Sequence, residues 1–142
     1  MAFFDAPKAE DLPPGQATEV VVAAVVERDG RYLITRRLDG THLAGLWEFP
    51  GGKILAGEDP EEALQRELRE ELGVETVVGE ALEAVDWNYP QKTIRLSFFR
   101  CTLDRDPRPL EGQEMRWVAA ADLPGYRFPE ADAVLIARLS RA

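Results

Sequence analysis

Three glutamates, Glu67, Glu70 and Glu71, stand close together in the segment GKILAGEDPEEALQRELREELGV that runs from Gly52 to Val74. On a helix Glu70 falls about 60° to one side of Glu67 and Glu71 about 40° to the other, so the three carboxylates share one narrow arc. Like charges one turn apart repel, and the pattern calls for a cation among them. Leu64, Leu68 and Leu72 occupy an adjoining arc that can face a core. The helix is well bounded: Asp59 suits the N-cap, Pro60 the first turn, Glu62 the acid of a capping box, and Gly73 the stop. Just upstream, Pro50-Gly51-Gly52 and Gly57 form a loop whose backbone can approach a ligand closely, because glycine has no Cβ. Carboxylates and backbone carbonyls together make an all-oxygen site, the kind that holds Mg²⁺ or Mn²⁺ against a substrate phosphate.

These residues need a scaffold, and 142 residues with 45% hydrophobic content are enough for one domain with a real core. EVVVAAVVER, residues 19–28, reads as a central strand, Asp29-Gly30 as a hairpin turn and 31–37 as its partner. After a loop over 38–46 and the stretch LWEFPGGK comes the glutamate helix over 59–72. Residues 75–88 read as one or two strands, 89–92 as a turn, and 93–103 as a long strand that pairs back. A loop over 104–112 leads to a short strand over 115–119, and Ala131, Val134, Leu135 and Leu139 are spaced for a terminal helix over 129–141. Two helices flanking a mixed sheet predict an α/β sandwich. Residues 1–18 read as a flexible leader and 19–142 as the single domain.

Composition excludes several functions. One cysteine, Cys101, in an apolar run, permits no disulfide framework and suits a reducing cytoplasm. No segment has the apolar length to span a bilayer, and the N-terminus lacks a signal-peptide pattern. A formal charge of −9 without a dense Lys/Arg cluster disfavours nucleic-acid polymers. An anionic small molecule would enter with its metal.

An acidic helix with a leucine stripe is most often a solvated surface. Here Gly52, Glu58, Arg66, Glu67, Leu68, Glu70, Glu71, Gly73 and Val74 fill the template G-x5-E-x7-R-E-U-x-E-E-x-G-U, where U is aliphatic, without departure. Such a match arises by chance on the order of once in a billion starts. The segment is the Nudix box, and the chain resembles the Nudix hydrolases, which cleave nucleoside diphosphates linked to another moiety with divalent cations. The resemblance implies a Nudix-type α-β-α sandwich with a mixed β-sheet.

The flanks are similar to the MutT group of that family, the hydrolases that sanitise oxidised guanine nucleoside triphosphates, a DNA-repair function. ITRRLDGTHLAGLWEFPGGK matches that group in its spacing, EGQEMRWV at 111–118 resembles the segment carrying a further metal-binding glutamate, here Glu111, and FPEAD at 128–132 resembles FPPAN. The sequence departs at Asp132, where the group has an amide that reads the base; an ionised Asp accepts hydrogen bonds only and rewards N–H donors. Arg36 and Arg37 end a strand with side chains on opposite faces, so at most one points at the phosphates; the resemblance favours Arg37, and implies His42 as a further substrate contact. Phe49 and Phe128 lie beside loops where a base could stack, whereas Trp47 and Trp117 suit packing. Lys53 is a candidate phosphate contact with an exposed salt bridge as its alternative, and Arg66 is expected to orient a carboxylate. Asp132 has a second reading as a helix cap.

The expected chemistry is Mg²⁺-dependent hydrolysis of a nucleoside triphosphate, such as 8-oxo-dGTP, to monophosphate and pyrophosphate. Glu67, Glu70, Glu71, Glu111 and the Gly51 carbonyl are the expected metal ligands, Mn²⁺ being possible in place of Mg²⁺, and Glu67 or Glu111 the general base. Glu58 is expected to fix the loop or a ligand. Alternatives are a CTP- or dCTP-type enzyme, hydrolysis of ADP-ribose or dinucleoside polyphosphates, a non-catalytic Nudix-like binding module, and a plain acidic interaction protein. The expected partner is a small nucleotide, with no nucleic-acid polymer and no membrane; a monomer is favoured, the oligomeric state being open.

Overall fold

The computed structural model describes residues 18–36, 45–90 and 92–141. In chain order the elements are β1 (Thr18–Arg28), β2 (Arg31–Arg36), β3 (Trp47–Glu48), β4 (Gly51–Lys53), α1 (Pro60–Leu72), β5 (Thr76–Tyr89), β6 (Lys92–Leu103), β7 (Glu114–Ala119) and α2 (Ala133–Ser140). The leader expected over 1–18 lies outside these residues except for Thr18, which opens β1. Arg37 and His42 also lie outside them.

Both faces of β1 are apolar, so it is buried on both sides and must be central. Val22, Ala24 and Val26 point into one core with Leu64, Leu68 and Leu72 of α1. Ala23 and Val25 point into the other with Leu135, Ile136 and Leu139 of α2. The result is the expected α-β-α sandwich around a mixed sheet. Each fully buried leucine contributes roughly 1.5–3 kcal/mol, so both helices are fixed mainly by their apolar stripes.

β1 runs parallel to β6 and antiparallel to β4, and β5 closes the far side as the hairpin partner of β6. Asp29 and Gly30 both take positive φ, 54° and 76°, the backbone of a tight hairpin, and β2 turns back there. Yet β2 pairs with β1 only at Glu27↔Tyr32 and Arg28↔Arg31 before it diverges to join β3 and β7. β4 takes over the vacated edge of β1 at Val21–Ala23. The split between these two groups of strands opens the cavity described below.

Three local expectations are revised. Tyr89 and Lys92 are paired strand residues, so the turn between β5 and β6 is tighter than 89–92. The terminal helix begins as a 3₁₀ turn at Glu130–Asp132 before α2. A further 3₁₀ segment, Ala120–Gly125, has no counterpart in the sequence reading, because its only buried residue is Leu123 and one apolar position sets no period. No helix among the described residues is long and apolar enough to cross a membrane.

Candidate active site

The ends of α1 are built as their residue types require. Asp59 accepts from the Glu62 amide at 2.8 Å, the Glu62 carboxylate accepts from the Asp59 amide at 3.1 Å, and Pro60 fills the first turn. Gly73, at φ 68°, sends its N–H to the Arg69 carbonyl. With both ends set, the rotation of the helix is decided by Ala63, Leu64, Leu68 and Leu72, all fully buried. The glutamate arc therefore faces the glycine loop.

Arg66 ties that loop to the helix. Its guanidinium donates to both oxygens of Glu58 at 2.6 and 3.0 Å, to Glu67 at 2.9 Å, to Glu70 at 3.4 Å and to the Lys53 carbonyl at 2.9 Å. Glu58 also accepts from the Leu55 amide at 2.8 Å. A planar fork serving three carboxylates and a carbonyl is a task for arginine rather than lysine. The pair with Glu58 comes first among the reasons that the guanidinium holds its proton more tightly than usual. Part of the positive charge demanded by the glutamate arc is thus supplied by the chain itself.

The paired glycines have distinct reasons. A Cβ on Gly51 would stand 2.0 Å from the Val22 carbonyl oxygen, and one on Gly52 would stand 2.4 Å from the carboxyl carbon of Glu67. Gly52 is the floor on which the Glu67 carboxylate rests. Pro50 O accepts from Ala24 N and Ile54 N donates to Val20 O, so alternate residues of β4 point their backbone groups toward β1. The intervening carbonyls, Gly51 and Lys53, point to the opposite edge, toward α1, where Lys53 O meets Arg66.

Glu111 reaches the cluster through a docked loop. The amides of Arg108 and Leu110 donate to the carbonyls of Leu72 and Glu71, and buried Gln113 donates to the Glu71 carbonyl at 3.1 Å while accepting from the Glu111 amide at 2.9 Å. These bonds satisfy carbonyls at the end of α1 that the helix itself leaves open. Burial pushes the Glu67 carboxyl up from its usual range, Arg66 opposes this, and the charges of Glu70 and Glu111 add to it. Glu71 engages the protein elsewhere, but its Oε2 is buried and accepts no hydrogen bond. No group of three acidic, histidine or cysteine side chains among the described residues forms a ready-made metal cage. The donors nevertheless fit a hard divalent cation: they are all oxygens, Glu67 lies against a backbone that only glycine permits, and one buried carboxylate oxygen is still available.

Beside this cluster is a cavity of about 480 Å³, lined by Glu71, Glu111 and Gln113 at one end and by Val21, Ala23, Leu96 and Phe98 along its floor. Asp132 and Glu48 form a second acidic spot in its wall. Asp132 is only 4% exposed. It precedes α2 with helical dihedrals, φ −85° and ψ −7°, and makes no side-chain cap bond, so the capping alternative fails: a cap needs extended backbone there. Burial first, and the Glu48 charge second, push its carboxyl up to about 7.

The phenylalanines differ from expectation. Phe49 is buried, stacked on Phe128 at 5.4 Å and edge-on to Phe98 at 6.0 Å, and it presents only part of its surface to the cavity. Phe128 does not line the cavity and instead backs Phe49. Trp47 packs against Tyr126 and under Arg116, and Trp117 lies under Arg28. Lys53 lines the cavity and pairs with Glu19 at 3.0 Å. Arg36, expected to face the other way, also lines it, held by Glu114 at 2.8 Å and by the Gly45 carbonyl. Cys101 is buried, and burial raises its thiol to about 12, so it is no nucleophile. Glu48, Gln113, Glu19 and Lys92 were not legible in the sequence. Glu48, next to Phe49, and Gln113, two residues after Glu111, lie in matched segments and left that local signal; Glu19 and Lys92 left none.

This fold and site have known counterparts. The profile of the NUDIX domain matches residues 21–138. The 8-oxo-dGTP diphosphatase of Haemophilus influenzae is 42% identical over 123 residues, 84% of this chain and 89% of that protein. The CTP pyrophosphohydrolase of Escherichia coli is 38% identical, covering 82% of this chain and 87% of its own length. A solved MutT structure, from work on Aliivibrio salmonicida and Vibrio cholerae, superposes with a TM-score of 0.70 at 35% identity, covering 87% of this chain and 98% of that one. The chain belongs to the Nudix family, whose hydrolases generally use divalent metals. Within that family it is MutT-like.

Proposed function

We propose that this protein hydrolyses nucleoside triphosphates to monophosphate and pyrophosphate, acting on oxidised or non-standard nucleotides such as 8-oxo-dGTP. The observation that carries this is one cavity with the carboxylate cluster at one end and a mostly apolar recess, walled by Asp132 and Glu48, beside it. The apolar floor suits a base and the cluster suits a polyphosphate.

A divalent cation, Mg²⁺ first and Mn²⁺ second, would be held by Glu67, Glu70, Glu71, Glu111 and the Gly51 carbonyl. When bound it neutralises the polyphosphate and makes its phosphorus more electrophilic. The chain's own residues do the rest. Arg66, braced by Glu58, holds Glu67 against Gly52 so that the carboxylate does not turn away. Glu67 or Glu111 accepts the proton of the attacking water, and the departing phosphate oxygen takes the electron pair of the broken P–O bond. Arg37 and His42 contact phosphate oxygens, while Lys53 keeps its salt bridge to Glu19. Phe49, backed by Phe128, shapes the base recess, and Asp132 reads the base edge. The docked loop at 108–113 keeps Glu111 beside the helix.

A CTP- or dCTP-type preference is a second reading, favoured by one observation: a carboxyl rather than an amide at Asp132, with Glu48 beside it, is suited to amino groups on the base. Cytoplasmic location belongs to the same proposal, supported by a chain whose single cysteine is buried. The test is a panel of 8-oxo-dGTP, dGTP, CTP, dCTP, ADP-ribose and a dinucleoside polyphosphate with Mg²⁺, with products identified. Monophosphate plus pyrophosphate from a triphosphate is expected; cleavage of ADP-ribose alone, or of nothing, would reject the proposal.

A further inference from the structure

The chain has three lysines against fourteen arginines, and both lysines among the described residues end on one carboxylate in the cavity wall. Lys53 Nζ lies 3.0 Å from Glu19 Oε1, and Lys92 Nζ lies 3.3 Å from each Glu19 oxygen. The three side chains come from adjacent strands, β4, β1 and β6. All three line the cavity, at the end where β1 and β6 begin.

Alternate residues of β1 form the cavity floor. Ala23 sits between Gly51 and Phe98, Val21 between Lys53 and Leu96, and Glu19 beside Ile94. Ala23 to Glu19 is roughly 13 Å along the strand. A nucleotide with its base toward Asp132 and its phosphates crossing Gly51 and Gly52 has one part left to place, the hydroxyl edge of its sugar. The floor left for it is the end that carries Glu19.

Burial would raise the Glu19 carboxyl, but hydrogen bonds and charge from the two lysines outweigh it and hold it below the usual carboxylate range. An ionised carboxylate only accepts, and the lysine contacts leave part of its four-site capacity for another donor. A phosphate oxygen has no proton to donate to this carboxylate, whereas a sugar hydroxyl is a matching donor, as with the acid that binds the ribose in dinucleotide folds.

We propose that Glu19 reads the sugar, accepting hydrogen bonds from the hydroxyls of a ribonucleotide, so that this protein prefers ribonucleoside to 2′-deoxyribonucleoside triphosphates of the same base. The inference rests on the nucleotide-hydrolase reading above. Lys53 and Lys92 act here as positioning residues that hold the carboxylate.

The test compares kcat/KM for CTP against dCTP and GTP against dGTP with Mg²⁺, and calorimetric Kd for CMP against dCMP and GMP against dGMP, in the wild type, E19Q and E19L. The wild type is expected to favour the ribo member of each pair by about tenfold, the scale of one charge-assisted hydrogen bond in a partly open site. E19L should bring the ratio near one, and E19Q, which keeps an acceptor oxygen without the charge, to an intermediate value; the CTP to GTP ratio should not move. If E19L fails to fold, E19Q decides. A wild-type ratio near one, or a ratio that survives in the variants, overturns the inference. Sugar-selective binding without hydrolysis would instead reject the hydrolase reading alone, and neither binding nor hydrolysis would reject both.

Discussion

Replacing Asp132 by Asn should stabilise this protein at pH 8 and leave it nearly unchanged at pH 4. In the unfolded chain the carboxyl ionises near its ordinary value, about 3.9. In the folded chain it keeps its proton up to about 7, because it is buried and faces Glu48. Between those values the folded state binds more protons than the unfolded one, so this group's contribution falls as pH rises and levels off above 7. Raising the value from about 3.9 to about 7, at about 1.36 kcal/mol for each tenfold change in proton affinity, gives up to about 4 kcal/mol. At 4% exposure little of this is screened by solvent. Asn has a similar shape and no charge to bury, so it escapes the penalty. Urea denaturation of wild type and D132N at half-unit steps from pH 4 to pH 8.5 isolates the effect, since carboxylates with the opposite trend, such as Glu19, cancel in the difference. The variant's advantage should climb from near zero to a few kcal/mol, mostly between pH 5 and pH 7. The same proton alters recognition: below pH 7 Asp132 both donates and accepts, above it only accepts. The CTP to dGTP ratio of kcat/KM should therefore change with pH in the wild type and stay flat in D132N. A stability difference independent of pH would refute the buried, protonated carboxyl, and an unmoved substrate ranking in both D132N and D132A would remove Asp132 from base reading.

Glu70→Gln and Glu71→Gln should each lower turnover by at least about a hundredfold with circular dichroism unchanged, and near-normal rates in both would remove them from the metal site. The glycines should separate folding from function: Gly51→Ala meets backbone and should cost about 1–3 kcal/mol or more in denaturation, whereas Gly52→Ala meets a movable carboxylate and should lose tenfold or more in kcat with a smaller stability loss. Equal behaviour of the two variants would contradict the floor assigned to Gly52. Chelation with EDTA should abolish hydrolysis and Mg²⁺ or Mn²⁺ restore it. With Mg²⁺ saturating, the rate should fall toward pH 4 as protons compete for the glutamates, and a flat profile would exclude a carboxylate base.

What could be read from the sequence was set by neighbours along the chain. The capping box of α1, its glycine stop, the Asp29-Gly30 turn and the shared arc of Glu67, Glu70 and Glu71 all depend on spacings of a few residues, which backbone geometry converts directly into position. The both-faced apolar run of β1 likewise announced a central strand. The box spacing further implied that Glu58 and Arg66 belong with the glutamates, although their bidentate contact is visible only in three dimensions. Tertiary structure decided everything that joins distant segments. Gln113 carries Glu111 to the end of α1 across 42 residues, Lys92 meets Glu19 across 73, and Asp132 finds Glu48 through the packing of the segment before α2 on the sheet. It also turned Phe49 from an open stacking face into a buried one and withdrew Asp132 from its capping role, because burial and backbone dihedrals depend on what packs alongside. Such pairings have no period in the chain. They exist only where the divergence of β2 from β1 leaves a cavity for side chains from six strands, α1 and the intervening loops to share.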